Sequence, residues 1–284
     1  MDSLNRRMGA LSAIPMGVVL LLAFIFPLGV VAGFSIMPPN VFDLGHLPDF
    51  SAYGQVIEQG YWTSLAWSLG LAAASTLLLF IICWPLAFGM AKVFNRFTLV
   101  MVLAVVITLF VSENIRLFGW VLTLMKGGLI DGYLKAWFGL ELSGALYNAP
   151  VIVLGLVYVY LPFMLFPLAQ GIAMVPDDAR QAAMDLGASR WRVFIEIDLP
   201  LASPGILVGS LISFVLAAGA LAESKLLGGQ EVIVIADDIE SAFSYGQNWP
   251  LGSALAMVLI LIVGALAIFG LSRIDLDRIM GRAG

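Results

Sequence analysis

Charge, cysteine and histidine are all scarce in this chain. Only 12% of its 284 residues are charged, against about 25% in a soluble domain. With 61% hydrophobic residues and a mean hydropathy of +1.00, that deficit excludes a soluble globular enzyme and a disordered chain. A single cysteine, Cys83, excludes an intramolecular disulfide and reads as a small apolar packing residue. A single histidine, His46, excludes a His-based catalytic triad and a multi-His metal site, and reads as an exposed loop residue. Basic residues are outnumbered, 14 against 19 acidic, so the clustered Lys and Arg of a nucleic-acid footprint are missing. No Lys follows a Gly, so there is no phosphate-binding loop of the G-x-x-x-x-G-K-[ST] type. No fixed-period repeat and no Pro-rich linker divides the chain, which reads as one integral domain.

What remains is long charge-free stretches: residues 8–42 (apolar core Ile14–Ile36), 59–91, 142–176, 199–222 and 241–272. Each can hold the ~20 apolar residues that cross a ~30 Å hydrocarbon core. A sixth run, Phe97–Ser112, is short alone and continues through Glu113 and Arg116 into FGWVLTL, which predicts a span with a polar outer end. The fold class is therefore all-α, a polytopic membrane protein with six transmembrane helices. The apolar core of the first stretch is longer than a signal-peptide core, and Ala32-Gly33-Phe34 is a poor cleavage site, so the first helix reads as retained. If residues 1–13 and the 273–284 tail are cytoplasmic, ten of the fourteen basic residues lie inside: Arg6, Arg7, Lys92, Arg96, Arg180, Arg190, Arg192, Arg273, Arg278 and Arg282. The positive-inside tendency favours that orientation, with both termini cytoplasmic and residues 14–272 forming the membrane domain.

The loop at 175–200 is more than a connector. Asp177 and Asp178 follow Pro176, where negative charge suits the positive end of a helix. Ala179, Ala182, Ala183 and Leu186 fall at i, i+3, i+4 and i+7, which predicts one small-residue face. Gly187 is placed to end that helix, and Ser189 to cap a second one carrying Trp191, Phe194 and Ile195. On spacing alone this is either an amphipathic segment on the membrane surface or a docking helix for another protein.

A family resemblance separates the two. Gln181-Ala182-Ala183, three residues, Gly187, nine residues, then Ile197-Asp198-Leu199-Pro200 resembles the EAA motif of binding-protein-dependent ABC importer permeases, with every interval kept. The departure is Gln181, where the family usually has Glu; an amide can still accept a hydrogen bond. NWPLGSAL (248–255), LLGG (226–229) and ENIRLFGWVLTLMKGGLID (113–131) are similar to permeases of the spermidine/putrescine group, the last to their B-type subunit. The resemblance implies a type I (MetI-like) importer in the bacterial inner membrane. Its partners would be a second, C-type permease subunit, two ATP-binding subunits holding ATP and Mg, and a periplasmic solute-binding protein. This chain would bind no cofactor and be no enzyme by itself. Asp178, Gln181, Ala182, Ala183, Asp185, Leu186, Gly187 and Arg190 would form the ATPase-coupling surface. Leu226–Gln230 superficially resembles the ATPase signature LSGGQ, but without a phosphate-binding loop it reads as a glycine turn.

The implied solute is a polyamine or related cationic amine, with a different small solute, or a secondary transporter needing no ATPase, as alternatives. Candidate pathway residues are Glu113, Asn114, Arg116, Trp120, Glu223, Asp237 and Asp238. Glu113 and Arg116 are neighbours on a helix, either snorkelling at the outer interface or lining the pathway. Asp237, Asp238 and Glu240 are either an acidic vestibule or a solvated loop facing the binding protein. Trp62, Tyr245 and Trp249 read as interfacial belt aromatics.

Overall fold

The computed structural model describes residues 15–39, 45, 47–94, 96–139 and 146–272, and these are helical with no strand. The predicted tails at 1–13 and 273–284, and His46, lie outside the described residues. The helices, in order, are α1 (Pro15–Phe34), α2 (Ser51–Glu58), α3 (Trp62–Val93), α4 (Thr98–Leu109), α5 (Glu113–Leu124), α6 (Leu129–Phe138), α7 (Ala149–Ala173), α8 (Asp177–Asp185), α9 (Arg190–Leu201), α10 (Ser203–Ala218), α11 (Ile235–Ser244) and α12 (Trp249–Leu271). Four of them, α1, α3, α7 and α12, are each long and apolar enough to cross a membrane. Two bent pairs, α4 with α5–α6 (94°) and α9 with α10 (70°), bring the number to six if each pair is one span.

The third predicted span is thus not a straight rod. Helix α4 stops at Leu109, and Ser112, in an extended conformation, starts α5 in a new direction. The polar residues that made this run look like a span with a wet end are the first turn of a separate helix. Likewise, Pro200 and Pro204 sit around the break between α9 and α10. A proline that lacks its N–H and clashes with the preceding turn accounts for a bend there.

The chain forms two compact units, Met1–Thr63 with Asp238–Leu261, and Ser64–Asp237 with Ile262–Gly284. In the first, the Phe34 and Trp249 rings meet edge-on at 5.5 Å, and Phe243 packs on the same indole at 6.2 Å. The Tyr53 hydroxyl donates to Ser35 Oγ at 2.9 Å. Most of α1 remains exposed, with Phe24, Ile25 and Phe26 each 63% accessible, as suits a surface whose solvent is lipid.

The second unit is built on the crossing of α7 and α10. Gly205, Gly209, Ser213 and Ala217 recur every four residues, forming one buried small-residue stripe along α10. A Cβ at Gly205 would collide with the Pro167 carbonyl oxygen, and one at Gly171 would lie 2.8 Å from Gly205 Cα. The two backbones therefore touch where glycines leave room. In lipid this close packing replaces the hydrophobic effect as the force between helices. Leu156, Met164, Leu165, Leu168 and Ile172 of α7 are all no more than 2% accessible around the contact.

These contacts rank three alanine substitutions. Gly205→Ala meets rigid backbone and should cost about 1–3 kcal/mol. Gly209→Ala should cost less, because the nearest atom, at 2.9 Å, is the flexible Met164 Sδ. Gly70→Ala, with nothing within 4 Å, should stay within about 0.5 kcal/mol of the parent. Thermal unfolding of the purified protein in detergent reads the order; equal losses at all three sites would show that the α7–α10 contact is not tight.

Candidate functional site

Two places in the second unit gather the polar groups. The first is α8 and its surroundings. Helix α8 starts after Pro176 and carries Asp177 and Asp178 in its first turn. It stops because Gly187 takes φ +87°, a left-handed conformation that glycine adopts without strain. The Gly187 and Ala188 N–H groups then donate to the carbonyls of Met184 (2.9 Å) and Ala183 (3.0 Å), a C-terminal cap. Ser189 starts α9, its hydroxyl accepting from the Arg192 N–H at 3.3 Å.

Helix α8 has two unlike faces. Asp178, Gln181, Ala182, Asp185 and Leu186 are exposed, Leu186 to 91%. Ala179, Arg180 and Ala183 are half-buried against the protein. The four-residue small face expected from spacing is therefore split: Ala179 and Ala183 pack inward, while Ala182 and Leu186 look out. The helix turns 100° per residue, so a stripe of three alanines does not say which edge of it meets the protein.

Charges fasten the inner face. Arg180 Nη2 donates to Asp198 Oδ2 at 3.3 Å, and Nε lies 3.0 Å from Oδ1 outside hydrogen-bond geometry, an ion pair between α8 and α9. The Asp198 side chain is 7% accessible and that of Arg180 20%. The same guanidinium lies over the Phe88 ring of α3 at 4.6 Å. Lys92, at the end of α3, donates to the Val175 carbonyl at 2.6 Å and pairs with Asp177 at 3.0 Å. Each anchor sits on a π-helical turn, Gly89–Val93 in α3 and Phe194–Asp198 in α9. Between the anchors runs a groove lined by Trp84, Phe88, Gln181, Met184, Arg190 and Phe194, among others. The Trp84 and Phe194 rings meet there at 5.0 Å, and Trp191 stacks on Phe194 at 5.1 Å.

The second place is a buried polar cluster where α5, α7 and the segment after α10 meet. Glu113, Arg116 and Trp120 lie along one side of α5, with buried Leu117 between them. Trp120 packs edge-on against Tyr158 of α7 at 5.7 Å, and Arg116 Cζ lies 5.8 Å from the centre of the same ring. Glu223 is fully buried, its Cγ at 3.5 Å from where a Gly155 Cβ would stand. Glu113, Arg116 and Tyr160 all lie within electrostatic range of it. Neither Glu223 carboxylate oxygen has a hydrogen-bond partner, nor do Arg116 Nε and Nη1.

The other expected pathway residues are placed differently. Asn114 is exposed on another side of α5. Asp237 is used internally: its Oδ2 accepts from the Val234 N–H at 3.2 Å and faces the Ser224 hydroxyl at 2.9 Å, holding the start of α11. Asp238, in the first unit, lies close enough to Tyr61 to raise that phenol above its ordinary value, after burial as the larger cause. Leu226–Gln230 is a turn with positive φ at Gly229 and Gln230, tied by the Tyr147 N–H to the Leu227 carbonyl at 2.9 Å. Cys83 is buried, 3.9 Å from the Leu161 carbonyl. Lys92, Arg180, Asp198, Tyr158 and Tyr160 were not singled out from the sequence as site residues. Asp198 carried the one usable signal, a carboxylate inside the Ile-x-Leu-Pro end of the motif.

Residues 84–279 match the family model described as "Binding-protein-dependent transport system inner membrane component". The chain belongs to that family. It is an ABC importer permease, and the segment from α8 to the start of α10 lies within the matched region. It is 34% identical over 218 residues to the "Spermidine/putrescine transport system permease protein PotB" of Haemophilus influenzae, covering 76% of this chain and 73% of that one. Its identity to the protein of the same name from Escherichia coli is 29% over 214 residues, covering 75% and 78%. A more distant relative is the "Trehalose transport system permease protein SugA" of Mycobacterium tuberculosis, 26% identical over 210 residues, 73% and 68% covered. The fold matches a chain of a bacterial ABC transporter "involved in the import of the acidic polysaccharide alginate", with a TM-score of 0.75 at 17% identity over 95% of this permease and 96% of that chain.

The anchor pair makes a testable claim on this permease. Arg180→Gln strands a buried carboxylate, and Asp198→Asn strands a guanidinium. Removing one partner of a fully buried pair costs about 3–5 kcal/mol; partial exposure of Arg180 puts the loss at or below the lower end. The double variant should lose less than the sum of the singles. Thermal unfolding of the four proteins reads the cycle, and strict additivity would show that the pair is not an interaction.

Proposed function

We propose that this permease carries a small linear amine of the polyamine class across the bacterial inner membrane, driven by ATP hydrolysed on partner subunits. In this reading, a second permease subunit completes the pathway, two ATP-binding subunits hold ATP and Mg, and a periplasmic binding protein delivers the solute. Both termini and α8 face the cytoplasm. The polyamine assignment draws on the names of the relatives and on the acids Glu113 and Glu223 in the buried cluster.

One observation carries the coupling half: a polar-and-apolar helix with no cover on one face and charged ties on the other. The exposed stripe Asp178, Gln181, Ala182, Asp185 and Leu186 is where an ATPase surface would grip. The ties to Lys92 and Asp198 pass a displacement of α8 directly to α3 and α9. A push on α8 therefore acts on two helices at once, through a largely buried pair at Arg180 and Asp198 and a more exposed one at Lys92 and Asp177. In energetic terms, the ATPase pair prefers one position of α8, and that preference shifts the permease between two conformations. The π turns at both anchors put the irregular, adjustable backbone next to the point of force.

Gly187 separates docking from backbone strain. Gly187→Ala introduces a Cβ with no neighbour within 4 Å, so its cost is the left-handed φ alone, about 1–2 kcal/mol. Gly187→Trp adds bulk on the docking side, and should reduce both co-purification of the ATPase and solute-stimulated ATP turnover well beyond the alanine variant. Gln181→Glu should leave both intact. Wild-type turnover with Trp at 187 would remove α8 as the coupling element.

A further inference from the structure

The buried cluster holds two acids and one base, with Glu223 deep enough that burial opposes its charge. The acids are Glu113 and Glu223, and the base is Arg116. Glu223 is 0% accessible, yet no donor meets hydrogen-bond geometry at either oxygen, although Tyr160 and the residue's own backbone lie beside it. Arg116 Nε and Nη1 are also buried and unpartnered. A carboxylate left this way is destabilising, whereas Asp198, less deeply buried, has its counter-charge Arg180 at 3.0 Å. With both acids ionised the cluster is one positive charge short, and neither Glu223 oxygen has a donor in hydrogen-bond geometry.

We propose that Glu223 is the carboxylate of this permease that receives a primary ammonium group of the solute, and that Arg116 stands in as counter-charge until the solute arrives. The assignment rests on the amine reading above. An ammonium supplies the missing unit of charge and three N–H donors on a small, rotatable head. Glu223 and Glu113 offer acceptor oxygens. Tyr158, Tyr160 and Trp120 offer ring faces that take the place of water around a cation. Arg116 cannot fill this role itself, because it is one charge beside two carboxylates and already lies toward the Tyr158 ring.

The cover over Glu223 is the element next to it in the chain. The π turn Ser224–Gly228 lays Leu227 against Gly155, where the Leu227 side chain would collide with a Cβ, and Gly228 beside Ile152. Gly219, before Glu223, and left-handed Gly229, after it, bracket this short piece. Lifting it from α7 uncovers Glu223 without unfolding either long helix.

The test uses the assembled transporter, with its partner permease and ATPases, in nanodiscs for binding and in liposomes with the binding protein for uptake. Radiolabelled spermidine and putrescine are the probes. Glu223→Gln should weaken amine binding and raise the uptake KM at least about tenfold, the loss of a charge-assisted contact, while the ATPase still co-purifies. Glu223→Asp should recover part of the affinity. Arg116→Gln should act in the opposite sense, tightening binding roughly threefold or more, because a competing cation is gone. A merely structural cluster would weaken in both variants. Equal binding in Glu223→Gln and the parent, or a loss in Arg116→Gln matching that of Glu223→Gln, overturns the assignment while leaving the amine permease in place. No binding or uptake of either amine by the parent transporter overturns the amine reading and this assignment with it. If Glu223→Gln fails to assemble, the opposed signs of Glu223→Asp and Arg116→Gln decide alone.

Discussion

The close approach of α7 and α10 holds the second unit together. Helices in lipid gain little from hiding apolar surface from each other, so their contact depends on how near the backbones come. Gly171 and Gly205 allow backbone contact beside the Pro167 carbonyl. Everything functional in this unit hangs from that crossing. Residues 174–202, which contain α8 and α9, are the chain's link between one end of α7 and the start of α10. Glu223 follows the other end of α10 and comes to rest on α7 at Gly155. One tight crossing therefore sets the position of both the exposed helix and the buried carboxylate.

Charge placement divides along the same line. The unit has few ionisable groups, and those below the surface fall into two kinds. Arg180, Asp198 and Lys92 are paired with each other, with Asp177 or with a carbonyl, so their burial is compensated and they act as ties. Glu223 and part of Arg116 are buried and unsatisfied. A fold can carry such a defect because one face of α7, with Ile152, Leu156, Val159, Met164 and Leu168 at 2% accessibility or less, is firmly packed. In the proposed reading the first kind transmits position and the second receives a cation.

Much of the architecture was legible in the chain. Charge-free stretches of membrane length located α1, α3, α7 and α12, because hydrocarbon accepts no other kind of segment. Pro176, Gly187 and Ser189 marked the ends of α8 and the start of α9, since each acts through its own backbone or its nearest turn. The run from Phe97 through FGWVLTL was legible as apolar enough to span, but not as bent: composition carries no sign of a 94° break, and Ser112, which sits at it, is an ordinary residue in sequence. The face of α8 was also only half legible. Periodicity grouped Ala179, Ala182, Ala183 and Leu186, while the actual boundary between inside and outside runs through that group.

The sequence by itself determined what is local or compositional: the membrane class, most span positions, the motif from Gln181 to Pro200 and the family it belongs to. Tertiary structure alone decided which charges meet. Arg180 and Asp198 are eighteen positions apart, and Glu113 and Glu223 more than a hundred. Electrostatic energy depends on distance and burial rather than on order along the chain, so a paired tie and an unpaired site look alike until the helices are packed.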